Sequence, residues 1–413
     1  MTRGSSLLLQ RDFSLYLVGN VARIAASQIV AVGVGWQVYS IHKNPFDLGL
    51  VGIAEFLPVP LLALPSGQLA DRYSRRLVVA LASAMSLVAT ALLLVVTVTS
   101  PDRLWPFLAL AALGGAATSL GSPAARALPP ELVAAEDLGT AFALRSTSTQ
   151  LGIVAGPAAG GFLFAIRPEL LYAAALGLLA VALVSILALH RRGGWTRVRQ
   201  EAPGLAHVLG GISFLRRSPV VLGAILLDLF AVLFGGAVAL LPVFAQSILH
   251  TGPSGLGLLR SAPAVGAIVA GALLTRRPLE ARVGPALLAT VTLFGVATIV
   301  FGLSHSFALS LVALGVCGFA DMISVNIRST TVAFATPNAL RGRVNAVEWV
   351  FIGASNQLGA FESGTAAALI GTVPAVVVGG AATIVVAALW LRFFPSLSRL
   401  DRLEELRPER GFA

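Results

Sequence analysis

Long apolar runs alternate with short polar punctuation along this chain, and the runs are apolar on every side rather than at every second position. Cut at the punctuation, the sequence yields twelve stretches: 14–41, 47–69, 77–99, 104–127, 138–165, 168–190, 219–248, 255–275, 283–304, 306–334, 344–370 and 373–394. Each is long enough to cross a hydrocarbon core of about 30 Å. With no water there, every backbone amide must be bonded inside its own segment, which predicts helices. The lack of two-residue alternation argues against an outer-membrane barrel. The predicted fold class is therefore an all-α polytopic membrane protein with 12 transmembrane helices. The first run is too long for a signal peptide and ends without a small-residue cleavage site, so it is expected to be retained.

One polar interval stands out. Residues 191–218 are basic, contain Gly and Pro, and divide the chain nearly in half. They read as a cytoplasmic linker between an N-terminal six-helix bundle (1–190) and a C-terminal one (219–394), with a tail at 395–413. The two halves share weak internal similarity. Gln150-Leu151-Gly152 recurs as Gln357-Leu358-Gly359, Leu48-Gly49-Leu50 as Leu256-Gly257-Leu258, and Pro129 has a counterpart in Pro337. In register, these matches predict parallel repeats about an axis along the membrane normal.

Composition agrees with the pattern: 56% of residues are hydrophobic, 12% are charged, and mean hydropathy is +0.86. The net charge of +10 has a topological origin. With the N-terminus inside, the outer loops hold only Lys43, Arg103 and Arg167. The inner side receives most of the others, from Arg72, Arg75 and Arg76 through the arginines of 191–217 and Arg276, Arg277, Arg282, Arg341 and Arg343 to most of the tail. That asymmetry predicts an inner (plasma) membrane protein with both termini cytoplasmic. Scattered over loops rather than gathered in a groove, the arginines predict no nucleic-acid partner; contact with anionic membrane lipid is their secondary role. The lone Cys317 allows neither an intrachain disulfide nor a cysteine metal site, and no metal or cofactor is expected.

Two motifs carry chemistry. Between the second and third runs the chain reads Gly67-Gln68-Leu69-Ala70-Asp71-Arg72-Tyr73-Ser74-Arg75-Arg76. This G-x-L-A-D-R-x-x-R-R loop resembles the signature between helices 2 and 3 of the major facilitator superfamily of secondary transporters. The fifth run carries Gly152-Ile153-Val154-Ala155-Gly156-Pro157-Ala158-Ala159-Gly160-Gly161. Glycines four apart let helix backbones approach closely, and Pro157 removes a backbone donor and permits a kink. The pattern resembles the helix-5 motif of exporting drug/proton antiporters in that superfamily. Its second-half equivalent, Gly359 to Gly364 around Glu362, has lost it. Pro337 to Ala346, with Pro129 to Val133, is similar to the branch that holds the enterobactin exporter and the macrolide efflux proteins.

The resemblance implies a major facilitator fold, export by alternating access, and a cytoplasmic gate. Asp71 is expected to cap the start of helix 11 near Arg343 and to pair with Arg126, while Arg75 or Arg76 meets Glu136 or Asp137. Arg72 anchors the same loop. Such bonds would act as a latch that turnover must break.

Ionisable residues inside the spans are few and costly, by about 2.5–3.5 kcal/mol each on insertion scales. Arg23, Glu55 and Asp228 lie at comparable depth in helices 1, 2 and 7 and are expected to face a shared substrate and proton cavity. Arg23 would pair with Asp228 or with Glu55. Arg260 and Asp321 are further cavity candidates; Arg145 and Arg328 read as gate or topology residues, and Glu348 and Glu362 as weaker candidates. The five histidines fall in loops or at helix ends, so no histidine relay spans the membrane. Trp36 and Tyr39 either line the cavity or sit in the interfacial belt.

No G-x-S-x-G, H-E-x-x-H or phosphate-binding loop occurs, so an intramembrane enzyme and a primary pump are excluded as readings. The expected function is a proton-coupled secondary exporter of a small amphipathic molecule, acting as a monomer. A lipid flippase of the same fold is the alternative.

Overall fold

The structure, a computed structural model, describes residues 7–99, 102–190, 213–277, 279, 281–337 and 340–406. Most of the predicted linker and the end of the tail therefore lie outside the described residues. The elements are almost entirely helical: α1 (Arg11–His42), α2 (Pro45–Phe56 and Pro58–Arg72), α3 (Arg75–Thr99), α4 (Leu104–Ala127), α5 (Leu138–Ile166) and α6 (Pro168–Leu187). They continue with α7 (Pro219–Phe234), α8 (Gly252–Arg276), α9 (Val283–Leu303), α10 (Phe307–Ala335), α11 (Arg341–Ile370) and α12 (Thr372–Phe393).

Among the described residues, eleven helical stretches are long and apolar enough to cross a membrane. The twelfth, α11, has the length but carries Arg341, Arg343, Glu348 and Glu362. Two predicted spans are interrupted. Pro58 and Pro60, each without a backbone donor, break α2 after Phe56. Gly235 and Gly236 end α7, and short 3₁₀, α and π turns around Pro242 carry the chain on to Ile248.

The chain forms two compact units. The first comprises 1–43, 53–202 and 251–261; the second comprises 44–52, 203–250 and 262–413. The first turns of α2 and the start of α8 thus pack with the unit opposite to the one their order in the sequence assigned them. In the first unit, Phe13, Tyr16, Val79, Ala124, Leu132 and Ile186 bring the ends of α1, α3, α4 and α6 into one apolar cluster. A buried polar tie joins α1, α3 and α6: the Tyr172 hydroxyl donates to Gln37 Oε1 at 2.5 Å, and Gln37 Nε2 donates to Thr97 Oγ1 at 3.1 Å. In the second unit, Leu227, Leu287, Ile323 and Trp390 pack α7, α9, α10 and α12 together. Trp390 Nε1 donates to the Gly223 carbonyl at 2.8 Å, so its one polar atom is satisfied inside that core.

Candidate functional site

The helix-5 motif faces two ways within the first unit. A methyl group at Gly152 would lie 2.8 Å from Ile24, and one at Gly156 would lie 2.7 Å from the Cβ of Gln28. At Gly160 it would meet the Ile29 backbone at 3.1 Å. These three glycines form the stripe on which α1 rests. Gly161 turns instead to the start of α8, where an added Cβ would lie 2.8 Å from the Cα of Gly257. Pro157 leaves the Ile153 carbonyl without its helical donor, and Ser261 Oγ donates to the neighbouring Val154 carbonyl at 2.8 Å. In the second unit, Gly364 of α11 packs on the first turn of α2, where a Cβ would lie 2.8 Å from the Gly49 nitrogen. The second-half equivalent has lost the motif in sequence but keeps a glycine-on-glycine helix contact.

At the polar ends of the first unit, the signature-loop arginines act on carbonyls. Arg75 Nη1 donates to the Ala127 carbonyl at 2.6 Å and lies 3.1 Å from Glu131 Oε1. Arg76 donates to the Leu187 and Leu189 carbonyls. Both therefore cap the C-terminal ends of α4 and α6, where unpaired carbonyls and the helix dipole favour a cation. Glu131, not Glu136 or Asp137, takes Arg75; Glu136 is exposed. Arg72 is exposed as well. Gly67 and Asp71 lie in the second piece of α2, and the Asp71–Arg126 pairing lies outside the described side chains. In the second unit Arg341 performs the same capping, donating to the Ala333 carbonyl at 2.9 Å, while Arg343 is half-buried beside it.

The five residues expected in one cavity separate into three groups. In the first unit Glu55 is the negative charge that acts on Arg260 of α8. Arg23 has a different neighbourhood: it donates to Asn20 Oδ1 at 3.4 Å and lies near Tyr16 and Arg145. In the second unit Asp228 is ion-paired with Arg328 of α10, which also lies 3.3 Å from Glu348 Oε1 of α11. Asp228 is thus held by Arg328 and not by Arg23. Arg328 is 4% exposed and Asp228 8%, so the pair is desolvated. Asp321, two turns before Arg328 on α10, shares with Asp228 the lining of a cavity that also includes Thr290, Phe294 and Ser324. It has no hydrogen bond or ion pair among the described residues. Among the described residues, Glu362 accepts only from the neighbouring Ser363 hydroxyl, at 3.4 Å. Trp36 packs against Phe164 of α5 with ring centroids 6.2 Å apart, and Tyr39 is buried beneath Lys43.

Arg328 is the residue that sequence reading undervalued. Its spacing of seven from Asp321 places both on one face of α10, a signal present in the sequence. Its partners on α7 and α11 are set by packing alone.

Twelve helices in two units, glycine-faced crossings and charges held inside the spans define a secondary transporter of the major facilitator fold. Solved transporters share that fold. The nucleoside transporter NupG superposes with a TM-score of 0.75 at 13% identity, covering 93% of this chain and 100% of its own. The D-xylose–proton symporter gives 0.69 at 14% identity, covering 95% and 98%. The chain belongs to the transmembrane secretion effector family, whose model matches residues 6–408. Among curated relatives, the enterobactin exporter EntS of Citrobacter koseri is 28% identical over 395 residues, covering 94% of this chain and 92% of that protein. The enterobactin exporter of Escherichia coli O1:K1 is 27% identical over the same length and shares. The protein is a multi-pass membrane exporter of that superfamily.

Proposed function

We propose that this protein is a proton-coupled exporter of a small amphipathic molecule, working by alternating access in the inner (plasma) membrane as a monomer with both termini cytoplasmic. The observation that carries the coupling is a charge imbalance in the second unit. Asp228 and Glu348 both lie against one buried cation, Arg328, and Asp321 lines a cavity with Asp228. Three carboxylates and one guanidinium cannot all stay ionised in a low-dielectric core without a large desolvation cost. A proton is the smallest charge that restores the balance, and its arrival or departure changes which carboxylate Arg328 holds. Asp321 is the proton acceptor, since Arg328 already holds Asp228 and Glu348. Glu55 with Arg260 remains the second candidate pair, and Asp71 with Arg126 the cytoplasmic latch.

The test is efflux from everted vesicles under an imposed pH gradient, with a substrate taken from a sensitivity screen in a strain stripped of its major exporters. Asp321→Asn is expected to abolish gradient-driven transport while preserving substrate exchange without a gradient. Unchanged gradient-driven transport in Asp321→Asn, Asp228→Asn and Glu55→Gln alike would refute proton coupling through these residues.

A further inference from the structure

The first unit carries the opposite imbalance. Tyr16, Asn20 and Arg23 recur at helical spacing along one face of α1. That face is registered on α5 by Asn20 Nδ2, which donates to Ser148 Oγ at 2.8 Å and to Thr149 Oγ1 at 3.0 Å. Arg145 stands one turn earlier on α5, hydrogen-bonded to Tyr16 and close enough to Arg23 for the two cations to repel. Among the described residues neither Arg23 nor Arg145 is ion-paired with a carboxylate: Glu55 acts on Arg260, the hydrogen-bond partners of Arg23 and Arg145 are neutral, and a third cation, Arg126, also lies close enough to Arg145 to repel it. Arg145 Nε is buried with no hydrogen-bond partner. By helical rise, Arg23 lies about 18 Å from the start of α1 and Arg145 about 10 Å from the start of α5.

Two guanidiniums close together within predicted membrane spans, with no counter-charge among the described side chains and with a buried donor left open, are an expensive arrangement. No packing role requires it, because Asn20, Ser148 and Thr149 already register α1 on α5. An anion placed between the two forks would satisfy the open Nε and cancel the repulsion. Carboxylates and phosphates suit the guanidinium fork because they accept two parallel N–H bonds. We propose that Arg23 and Arg145, with Tyr16 and Asn20, form the binding site for the anionic head of the exported molecule, so that the substrate class is a soluble organic anion. The proposal rests on the exporter reading for its biological sense and on the arginine pair for its chemistry.

Its test reads equilibrium binding with no gradient, so a failure of proton coupling leaves it untouched, and its own failure leaves the exporter reading standing. The full-length protein in phosphatidylcholine nanodiscs is titrated calorimetrically with three probes of one shape: 1-naphthoate, 1-naphthamide and 1-naphthylmethylammonium. Naphthoate is expected to bind at least tenfold more tightly than either other probe. Arg23→Gln and Arg145→Gln should each bring that preference below about threefold, whereas Arg23→Lys and Arg145→Lys should keep an intermediate preference. A measurement on the unaltered protein guards against variants that fail to fold. Raising sodium chloride from about 50 to 500 mM should weaken naphthoate binding severalfold and leave naphthamide unchanged, because only the former competes with chloride for the arginines. Equal binding of all three probes, no saturable naphthoate binding, or an anion preference that survives both Gln substitutions would overturn the assignment. Displacement of naphthoate by phosphatidylglycerol incorporated in the nanodisc would place a lipid head group on these arginines, and would overturn it too.

Discussion

Buried charge in this protein is arranged as carboxylates sharing one cation in the second unit and, among the described residues of the first, as an arginine pair without a carboxylate beside the Glu55–Arg260 pair. Arg328 illustrates the first case. It is ion-paired with both Asp228 and Glu348 inside the second unit. Removing one partner of a buried pair strands the other, at a cost of about 3–5 kcal/mol. Arg328→Leu is therefore expected to lower the thermal midpoint in detergent strongly, and Arg328→Leu with Asp228→Leu to recover part of that loss. A double variant less stable than the single one would show that Asp228 does not depend on Arg328. The pair at the signature loop behaves differently. Arg75 and Glu131 are each more than a third exposed, and exposed pairs contribute about 0–1 kcal/mol. Glu131→Gln should shift the midpoint little, whereas Arg75→Ala, which also uncaps α4, should shift it more.

At the scale of the element, the glycine faces of α5 decide how closely helices meet. Gly156 presents no side chain where α1 lies against it, so Gly156→Leu must push the two backbones apart. We expect Gly156→Leu to lose export and folded yield together, scored by efflux and by monodispersity on size-exclusion chromatography. Gly177 of α6 is the control, since nothing lies within 4 Å of where its Cβ would stand. Gly177→Leu should retain both properties. Loss of folded protein in both variants would mean that glycine content, not close approach, is what these helices require. Asp71→Asn tests the proposed latch on α2: an amide still caps a helix but would give Arg126 no charge to hold. Efflux is expected to fall while protein level stays normal.

For the whole molecule, topology is the first consequence to check. The positive-inside asymmetry predicts Lys43 outside and Glu136 inside. In a Cys317→Ser background, Lys43→Cys should react with a membrane-impermeant maleimide in intact cells, and Glu136→Cys only after permeabilisation. Labelling in the reverse order would invert the protein and turn export into import. The two compact units also divide differently from the linear halves. The first turns of α2 join the second unit against Gly364, and the start of α8 joins the first unit against Gly161.

The number, length and order of the helices were legible in the sequence because a bilayer imposes one dominant rule, the satisfaction of backbone amides over about 20 apolar residues. Eleven of the twelve predicted runs agree with the observed spans within a few residues at their ends; the twelfth, α11, is helical but less apolar. The breaks in α2 and α7 were visible as Pro58, Pro60, Gly235 and Gly236, though not as interruptions of helices already long enough to cross. Position along each helix is read directly from the sequence, which is why Arg23, Glu55, Asp228 and Asp321 stood out as candidates. Partnership is not. Depth is one coordinate, and a pair also depends on the rotation of each helix and on its neighbours, which side-chain packing alone sets. Only the tertiary structure gave Asp228 to Arg328, Glu55 to Arg260 and Glu131 to Arg75. It also left Arg23 beside Arg145, because the face of α1 that carries Arg23 is turned by Asn20 onto α5, where no carboxylate stands.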